Sequence, residues 1–326
     1  MTQAAHLDPI KTAFTAWLKV FALFSATFLF SLWYLNQYYL GDQQFYNRFY
    51  YSLVQADPRH WARLQEIHLG SAEPLYRYVI GAAAYYDVDR IVYLSLWNGL
   101  LIGSIVYLAI KTRCSLVFAI LLLTNYYVFV LLGPAERLKF AYICLVLGFA
   151  ADNLKLRFAL SAISIFFHTQ ALVQFASSAG YYFISNLRVI FMSPLYLLLL
   201  VVFGSVSIGA ILYIFFEFVG VSVVLKMDVY SNESEGLLEA IQWGMILLGG
   251  LVVFRGRLAY FIGMLPMGVL TILFGNRVNV ATLVFFAALV MTQEKTRHPL
   301  VLVVMGYMSV KSIPFMLDVV KYGTGY

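Results

Sequence analysis

Long apolar runs separated by small groups of charged residues cover most of this chain. Three runs, 91–110, 115–132 and 189–216, contain no charged residue. A helix of about 20 apolar residues is long enough to cross the ~30 Å hydrocarbon core of a bilayer. The pattern therefore predicts an all-α, polytopic integral membrane protein in which residues 1–326 form a single transmembrane domain.

The basic groups between these runs set the predicted topology, because short loops rich in Lys and Arg lie on the cytoplasmic side. The groups are Lys111/Arg113, Lys155/Arg157, Arg188, Arg255/Arg257 and Lys295/Arg297. Placing them and the N-terminus on one side predicts about eleven spans, within a range of about 10 to 12. The spans are 12–35, 91–110, 115–132, 137–151, 157–170, 171–185, 189–219, 239–254, 258–274, 278–292 and 298–318. Alternatively, 157–185 is one long helix broken at His168-Thr169-Gln170.

This topology leaves two sizeable segments on the outer side, 36–90 and 220–238. The first contains a short apolar stretch, Pro74–Tyr86. At 1.5 Å per residue this stretch rises only ~20 Å, which is too short to cross the bilayer. We expect it to form an interfacial helix.

Composition excludes several functional classes. Only 12% of the residues are charged, against about 25% in a typical soluble domain, so the chain is not an ordinary water-soluble enzyme. The net charge is +6, but the basic residues form no continuous patch, so we expect no nucleic-acid partner. Cys114 and Cys144 are expected to be free thiols. The sequence lacks the motifs of nucleotide, zinc and serine-nucleophile sites, so no cofactor or metal is expected.

Cationic residues at predicted outward-facing helix N-termini are the first candidate site. Arg137 and Lys139 follow Pro134, a residue favoured at helix starts, and Arg277 follows Gly275-Asn276. Arginines at helix N-termini suit an anionic phosphate group. The alternative is that these side chains extend to lipid head groups. Lys139 is the weaker candidate, because residues i and i+2 of a helix point in different directions.

Asp42, Tyr46 and Tyr50 are spaced so that a helix would place them on one face. A carboxylate flanked by aromatic rings suits a sugar, whose hydroxyls form hydrogen bonds while its apolar face stacks on rings. The alternative is an aromatic belt at the membrane interface with one solvated acid.

Three further residues carry both a functional and a structural interpretation. Glu73 precedes Pro74 and is either a functional carboxylate, a helix cap or a partner of Arg77. His168 interrupts an apolar run and is either a substrate ligand or a hydrogen-bonded structural group. Tyr230 lies in the second outer segment, which either closes over the site or is an ordinary solvated loop.

The order of these motifs resembles the EpsG-like, Wzy-type bacterial polysaccharide polymerases, mainly over residues 36–175. The motifs are Gly41-Asp42-x3-Tyr46, Glu73-Pro74-Leu75-Tyr76, Arg137 followed by Ala141, and Phe167-His168-Thr169-x-Ala171-Leu172. The resemblance implies a GT-C-like glycosyltransferase of the bacterial inner membrane, with its active site facing the periplasm. Its donor and acceptor would be undecaprenyl-pyrophosphate-linked oligosaccharides of the O-antigen or capsule pathway, and a chain-length regulator is a further implied partner, besides membrane lipids.

On this interpretation each candidate residue has a role. Asp42, Glu73 and His168 are the predicted catalytic residues, and Arg137, Lys139 and Arg277 bind the pyrophosphate. Tyr46, Tyr50 and Tyr230 bind sugar. Three alternatives remain open: a ligase that uses the same donor, a flippase or transporter of the lipid-linked oligosaccharide, and a purely structural membrane subunit.

Overall fold

The computed structural model describes residues 9–71, 73–186, 236–274 and 276–325, and every regular element in these ranges is helical. The helices are α1 (Pro9–Gln37), α2 (Asp42–Leu53), a 3-10 turn (Pro58–His60), α3 (Trp61–Leu69), α4 (Pro74–Tyr85), α5 (Arg90–Lys111), α6 (Leu116–Leu123), α7 (Tyr126–Leu132), α8 (Glu136–Ala150), α9 (Leu154–Phe167), α10 (Gln170–Asn186), α11 (Gly236–Val253), α12 (Arg257–Phe274), α13 (Asn276–Thr292) and α14 (Pro299–Tyr322). The predicted all-α fold is confirmed for this part of the chain. The predicted span 189–219 and Tyr230 lie outside the described residues.

Three of the described helices are long and apolar enough to cross a bilayer: Phe14–Gln37 within α1, α5 and α14. Ala240–Val253 and Asn279–Thr292 are shorter apolar helices. The two cysteines are free thiols, as expected.

The prediction of one continuous helix over 115–132 is wrong, because the helix stops at Leu123 and a second helix begins at Tyr126. The side chain of Asn125 accepts a hydrogen bond from the backbone N–H of Tyr127, 2.9 Å away, and so caps the start of α7. On the facing helix α14, the hydroxyl of Ser309 donates to the carbonyl of Leu121, at 2.7 Å. These two side chains satisfy backbone groups that the break in the helix leaves unpaired.

The break predicted near His168 and the short helix after Glu73 are both present. Helix α9 ends at Phe167 and α10 begins at Gln170, whose backbone N–H donates to Nδ1 of His168 at 3.0 Å. The helix predicted from Pro74 ends at Tyr85. Residues 36–90 also contain α3, which was not predicted from the sequence.

The described residues form two compact units, 1–172 with 287–326 and 173–286. In the first unit, α1 packs closely on α5 at two glycines spaced as in a GxxxG motif. A Cβ at Gly99 would lie 2.9 Å from the Phe24 ring, and one at Gly103 would lie 3.6 Å from Val20. Small residues at this spacing let two membrane helices approach closely.

Helix α8 is short, and this positions the candidate site. Lys111 at the end of α5 donates to the carbonyl of Ala150 at the end of α8, at 2.6 Å, so these two ends are level. The 15 residues of α8 rise about 22 Å and the 22 residues of α5 rise about 33 Å. The turn 133–135, which precedes α8, therefore does not reach the level of the N-terminal end of α5. Gln43 of α2 lies in the space between this turn and the N-terminal end of α5, and its side-chain amide donates to the carbonyl of Gly133 at 2.8 Å.

The second unit contains α11, α12 and most of α10 and α13. Glycines again allow close packing, since a Cβ at Gly250 would overlap the Tyr260 ring and one at Gly268 would overlap Trp243. The Tyr260 hydroxyl donates to the carbonyl of Ile246 at 2.8 Å, which ties α12 to α11.

Candidate functional site

Two adjacent residues of opposite charge, Glu136 and Arg137, begin helix α8. Both are buried in the first unit. A buried charge is costly unless an opposite charge and hydrogen bonds compensate it. Each of the two residues has such a partner, and both partners come from the segment that precedes α5 or from its first residue.

Glu136 pairs with Arg90, the first residue of α5, and both side chains are almost fully enclosed. The Tyr76 hydroxyl donates to the second carboxylate oxygen of Glu136 at 2.6 Å. Arg90 also donates to Gln43 and to Asn47 of α2, both at 2.8 Å. This network therefore joins α2, α4, α5 and α8 through hydrogen bonds that all involve a charged group.

Arg137 pairs with Glu73, which precedes α4. Its Nη1 lies 3.0 and 2.9 Å from the two carboxylate oxygens and also donates to the Ser71 hydroxyl. Its Nε donates to the Tyr46 hydroxyl at 3.3 Å. Gln65 of α3 donates to Glu73 at 3.1 Å. The alternative pairing of Glu73 with Arg77 is wrong, since Arg77 lies over the Tyr78 ring instead, 5.2 Å from its centroid.

One nitrogen of the Arg137 guanidinium, Nη2, is not used by this pairing. Its Nη2 makes no hydrogen bond to any residue that the structure describes, and it is not among the fully buried unpaired atoms. The side chain is 11% exposed. A guanidinium that is held through Nε and Nη1 and unpaired at Nη2 can bind an added anion, such as a phosphate oxygen, without first losing its carboxylate partner.

Glu73 is ionised over the whole ordinary pH range. Burial opposes ionisation, but the positive charge of Arg137, with a smaller contribution from His168, outweighs it and lowers the pKa of Glu73 to about 2. His168 therefore lies near the Glu73–Arg137 pair. Its bond to the Gln170 N–H also gives it a structural role at the break between α9 and α10.

Lys139 is directed into the interior of the first unit and is fully buried. Its ammonium donates to Asn98 at 2.6 Å and to the carbonyl of Leu132 at 3.1 Å, and Asn98 in turn donates to Ser31 at 3.0 Å. A phosphate would reach Lys139 only if the surrounding helices separated. Its predicted role in pyrophosphate binding remains a prediction.

The predicted sugar-binding helix is present, but its tyrosines are enclosed. Asp42 is the first residue of α2 and is partly exposed. Tyr46 packs against Tyr76, with ring centroids 6.3 Å apart, and the Tyr50 hydroxyl donates to the carbonyl of Val88. Both tyrosines are buried, so neither offers a free ring face for stacking on a sugar. Their sugar-binding role remains a prediction.

Arg277 is the second residue of α13, as its predicted position at a helix N-terminus requires. The contacts of its side chain lie outside what the structure describes. Arg277 belongs to the second unit and the Arg137 cluster to the first. Joint binding of one pyrophosphate by the two arginines remains a prediction.

Three residues belong to the site without having been predicted from the sequence: Arg90, Glu136 and Gln43. Two signals in the sequence could have indicated them. Glu136 is an acidic residue directly beside a predicted anion-binding arginine, and Arg90 opens an otherwise charge-free span. Buried charges at membrane depth require partners, so each of these residues predicts an opposite charge nearby.

Comparisons with protein-family models, with curated proteins and with solved structures found no match for this chain. The resemblance to the polysaccharide polymerases therefore depends on the motifs in the sequence alone.

The Arg90–Glu136 pair is expected to be strongly coupled. Arg90→Met leaves the buried Glu136 carboxylate without its cation, and Glu136→Leu leaves the buried Arg90 without its anion. Each single variant should therefore destabilise the fold by about 3–5 kcal/mol. The double variant should lose less unfolding free energy than the two single variants lose in sum. Thermal unfolding of the purified protein measures this, with Arg59→Met at an exposed ion pair as a control that should change little. Additive losses would contradict the pairing.

The Glu73–Arg137 pair predicts a specific dependence of stability on pH. The folded-state pKa of Glu73, about 2, lies below its ordinary value of 4.5. Its stabilising contribution is therefore complete above about pH 4.5 and is lost as the pH falls through about 2. Between about pH 5 and pH 3, the wild-type protein should lose more unfolding free energy than Glu73→Gln. Parallel stability curves for the two proteins would contradict the assignment.

Proposed function

We propose that the chain is a bacterial inner-membrane glycosyltransferase that joins undecaprenyl-pyrophosphate-linked repeat units into O-antigen, capsule or exopolysaccharide at the periplasmic face. It would have about eleven spans, with Arg137, Asp42 and Arg277 on the outer side. The observation that carries the proposal is Arg137, which is held by Glu73 and Tyr46 while its Nη2 is unpaired, beside His168. Such a group suits the pyrophosphate of a lipid-linked donor.

In the proposed reaction, a hydroxyl at the non-reducing end of the acceptor attacks the anomeric carbon of the donor sugar. The bond from that carbon to the pyrophosphate oxygen breaks, and its electron pair leaves with undecaprenyl pyrophosphate. The hydroxyl proton passes to a base. Arg137 stabilises the charge that develops on the leaving group, so its contribution is greatest in the transition state. The donor carries its own energy, so no nucleotide is needed.

The base is assigned to Asp42 in preference to Glu73. A general base works best when its pKa is near the working pH, and a carboxylate with a pKa of about 2 is a weak base. Glu73 is also held by Arg137 and Gln65. Asp42 is partly exposed at the start of α2, on the helix that supplies Tyr46 to Arg137. His168 assists at the pyrophosphate end.

Deletion of the gene in its native host tests the function and separates it from its alternatives. A polymerase deletion should leave single repeat units on the lipopolysaccharide core, or unpolymerised capsule precursor, in place of a ladder on electrophoresis. Free polymer on its lipid carrier would indicate a ligase instead. Loss of repeat units from the periplasmic face, with lipid-linked units retained inside, would indicate a flippase. An unchanged glycan would contradict all three.

Arg137→Ala is expected to abolish most polymer in the complemented deletion strain. A charge-assisted contact to phosphate contributes about 2 kcal/mol or more, which is a rate loss of at least about 30-fold. Arg137→Lys should rescue only in part, because lysine lacks the planar two-point contact. Arg59→Ala is the matched control at an exposed arginine. Normal ladders from Arg137→Ala at equal expression would refute the assignment.

Asp42→Asn is expected to remove turnover of purified lipid-linked repeat unit while leaving the protein folded. General-base catalysis contributes about 10²–10⁴-fold, and the substitution keeps the shape and most hydrogen bonds of the side chain. Turnover measured across pH, together with thermal unfolding, separates catalysis from stability. Full turnover by Asp42→Asn would exclude it as the base, and loss only in Glu73→Gln would transfer the role to Glu73.

A further inference from the structure

The hydroxyl of Tyr46 lies beside Arg137 and has a proton to donate. It accepts a hydrogen bond from Nε of Arg137 at 3.3 Å, but it donates to no residue that the structure describes. The Ser71 hydroxyl, which accepts from Nη1 of Arg137, differs in this respect, because it lies near enough to the Glu73 carboxylate to stabilise its charge. The site therefore has two adjacent unused donors, Nη2 of Arg137 and the O–H of Tyr46.

Tyr46 keeps this proton at ordinary pH. Burial raises the pKa of Tyr46 above its ordinary value of 10.0, and this effect outweighs the positive charge of Arg137. The Tyr46 ring packs against Tyr76, with ring centroids 6.3 Å apart, so the position of the hydroxyl is fixed. Tyr46 therefore offers a neutral donor in a fixed position.

The planar shape of the guanidinium determines where an anion binds to Nη2. One of the two N–H bonds of Nη2 is parallel to an N–H bond of Nη1, which pairs with Glu73. The other is parallel to the N–H bond of Nε, which binds Tyr46. An anion on the first bond would lie next to the Glu73 carboxylate, and like charges in contact are costly at low dielectric. An anion on Nη2 is therefore favoured on the side of the Tyr46 hydroxyl.

An anion in this position lies within reach of the Tyr46 proton. Two acceptors on parallel N–H bonds of a guanidinium are spaced like the two oxygens of one carboxylate or phosphate. A phosphate oxygen on Nη2 is then close enough to the Tyr46 oxygen to accept its proton in a hydrogen bond. The Arg137 side chain is 11% exposed and its Nη2 is not fully buried, so the anion can approach from the surface. Tyr46, Glu73 and Arg137 all belong to the first unit.

We infer that Tyr46 is a ligand of the pyrophosphate group and donates its hydroxyl proton to the phosphate oxygen that Nη2 of Arg137 binds. The neutral hydroxyl adds a second hydrogen bond to this oxygen without changing the charge balance of the Glu73–Arg137 pair. The inference rests on the proposed function and deepens it, because it assigns Tyr46 to the leaving group in place of its predicted contact with sugar.

The test uses three probes that separate the phosphates from the lipid: undecaprenyl pyrophosphate, undecaprenol and inorganic pyrophosphate. Binding of each is measured to purified wild-type protein, Tyr46→Phe and Tyr93→Phe. Phenylalanine keeps the ring and removes only the hydroxyl. Tyr93→Phe is the matched control, because the Tyr93 hydroxyl is in the same unit and already donates to the carbonyl of Val79 at 3.0 Å. Thermal unfolding without ligand is measured in parallel.

We expect Tyr46→Phe to bind both pyrophosphate probes about 10-fold or more weakly, because a hydrogen bond to a charged group is lost. Its affinity for undecaprenol should be unchanged, and Tyr93→Phe should bind all three probes like the wild-type protein. Unchanged affinity of Tyr46→Phe for undecaprenyl pyrophosphate would overturn the inference. Tighter binding would also overturn it, since the hydroxyl would then only occupy Nε until the anion displaces it. An unfolded Tyr46→Phe would show a structural role and have the same consequence.

Ser71→Ala separates a direct contact from an effect through Arg137. Its hydroxyl also binds Arg137, but at Nη1 and beside Glu73. A direct contact predicts a clearly larger loss of pyrophosphate affinity in Tyr46→Phe than in Ser71→Ala. Equal losses would mean that Tyr46 only orients Arg137 and would overturn the inference.

The wild-type protein tests the proposed function separately. It should bind undecaprenyl pyrophosphate more tightly than inorganic pyrophosphate, which would identify the lipid as the source of the phosphates. The reverse order would contradict the proposed function while leaving the Tyr46 contact standing. Failure of the wild-type protein to bind either pyrophosphate probe would overturn both.

Discussion

The burial of two adjacent opposite charges at the start of α8 is the constraint on which the first unit depends. Glu136 requires a cation and takes Arg90, while Arg137 requires an anion and takes Glu73. Exchanging these partners would bring like charges together, which is costly at low dielectric. The two pairs therefore hold Arg90, at the start of α5, and Glu73, just before α4, beside the turn that joins α7 to α8. Because α8 is shorter than α5, a space is left between the turn that precedes α8 and the N-terminal end of α5. Polar residues of the segment before α5 occupy this space.

The two ion pairs differ in whether they leave a hydrogen-bond donor available to a ligand. Arg90 and Glu136 are enclosed and bound to Gln43, Asn47 and Tyr76, which suits a structural role. Arg137 is held at Nη1 by Glu73 and at Nε by Tyr46, and its Nη2 is unpaired. These two contacts limit the conformational freedom of the guanidinium before an anion arrives, so less entropy is lost on binding. The same carboxylate that neutralises Arg137 in the empty site therefore also orients it.

The sequence predicted the helices better than it predicted the site. Hydropathy located α5 and α14, and Pro74 marked the start of α4, because these signals are local. The break at Asn125 was missed, since the apolar run continues through it and the Ser309 contact that supports it comes from a distant helix. Arg137, Glu73 and His168 were each selected, yet their association depends on packing between α4, α8 and α9. Tyr46 and Tyr50 share a helix face as predicted, but only the fold determines that this face is buried.

The central claim is that the protein transfers glycan from a pyrophosphate lipid without any other source of energy. The most direct measurement supplies purified protein with lipid-linked repeat unit alone and follows both products. The account predicts that the glycan lengthens and that one undecaprenyl pyrophosphate is released for each repeat unit joined. Absence of lengthening, or lengthening that requires an added nucleotide sugar, would contradict it.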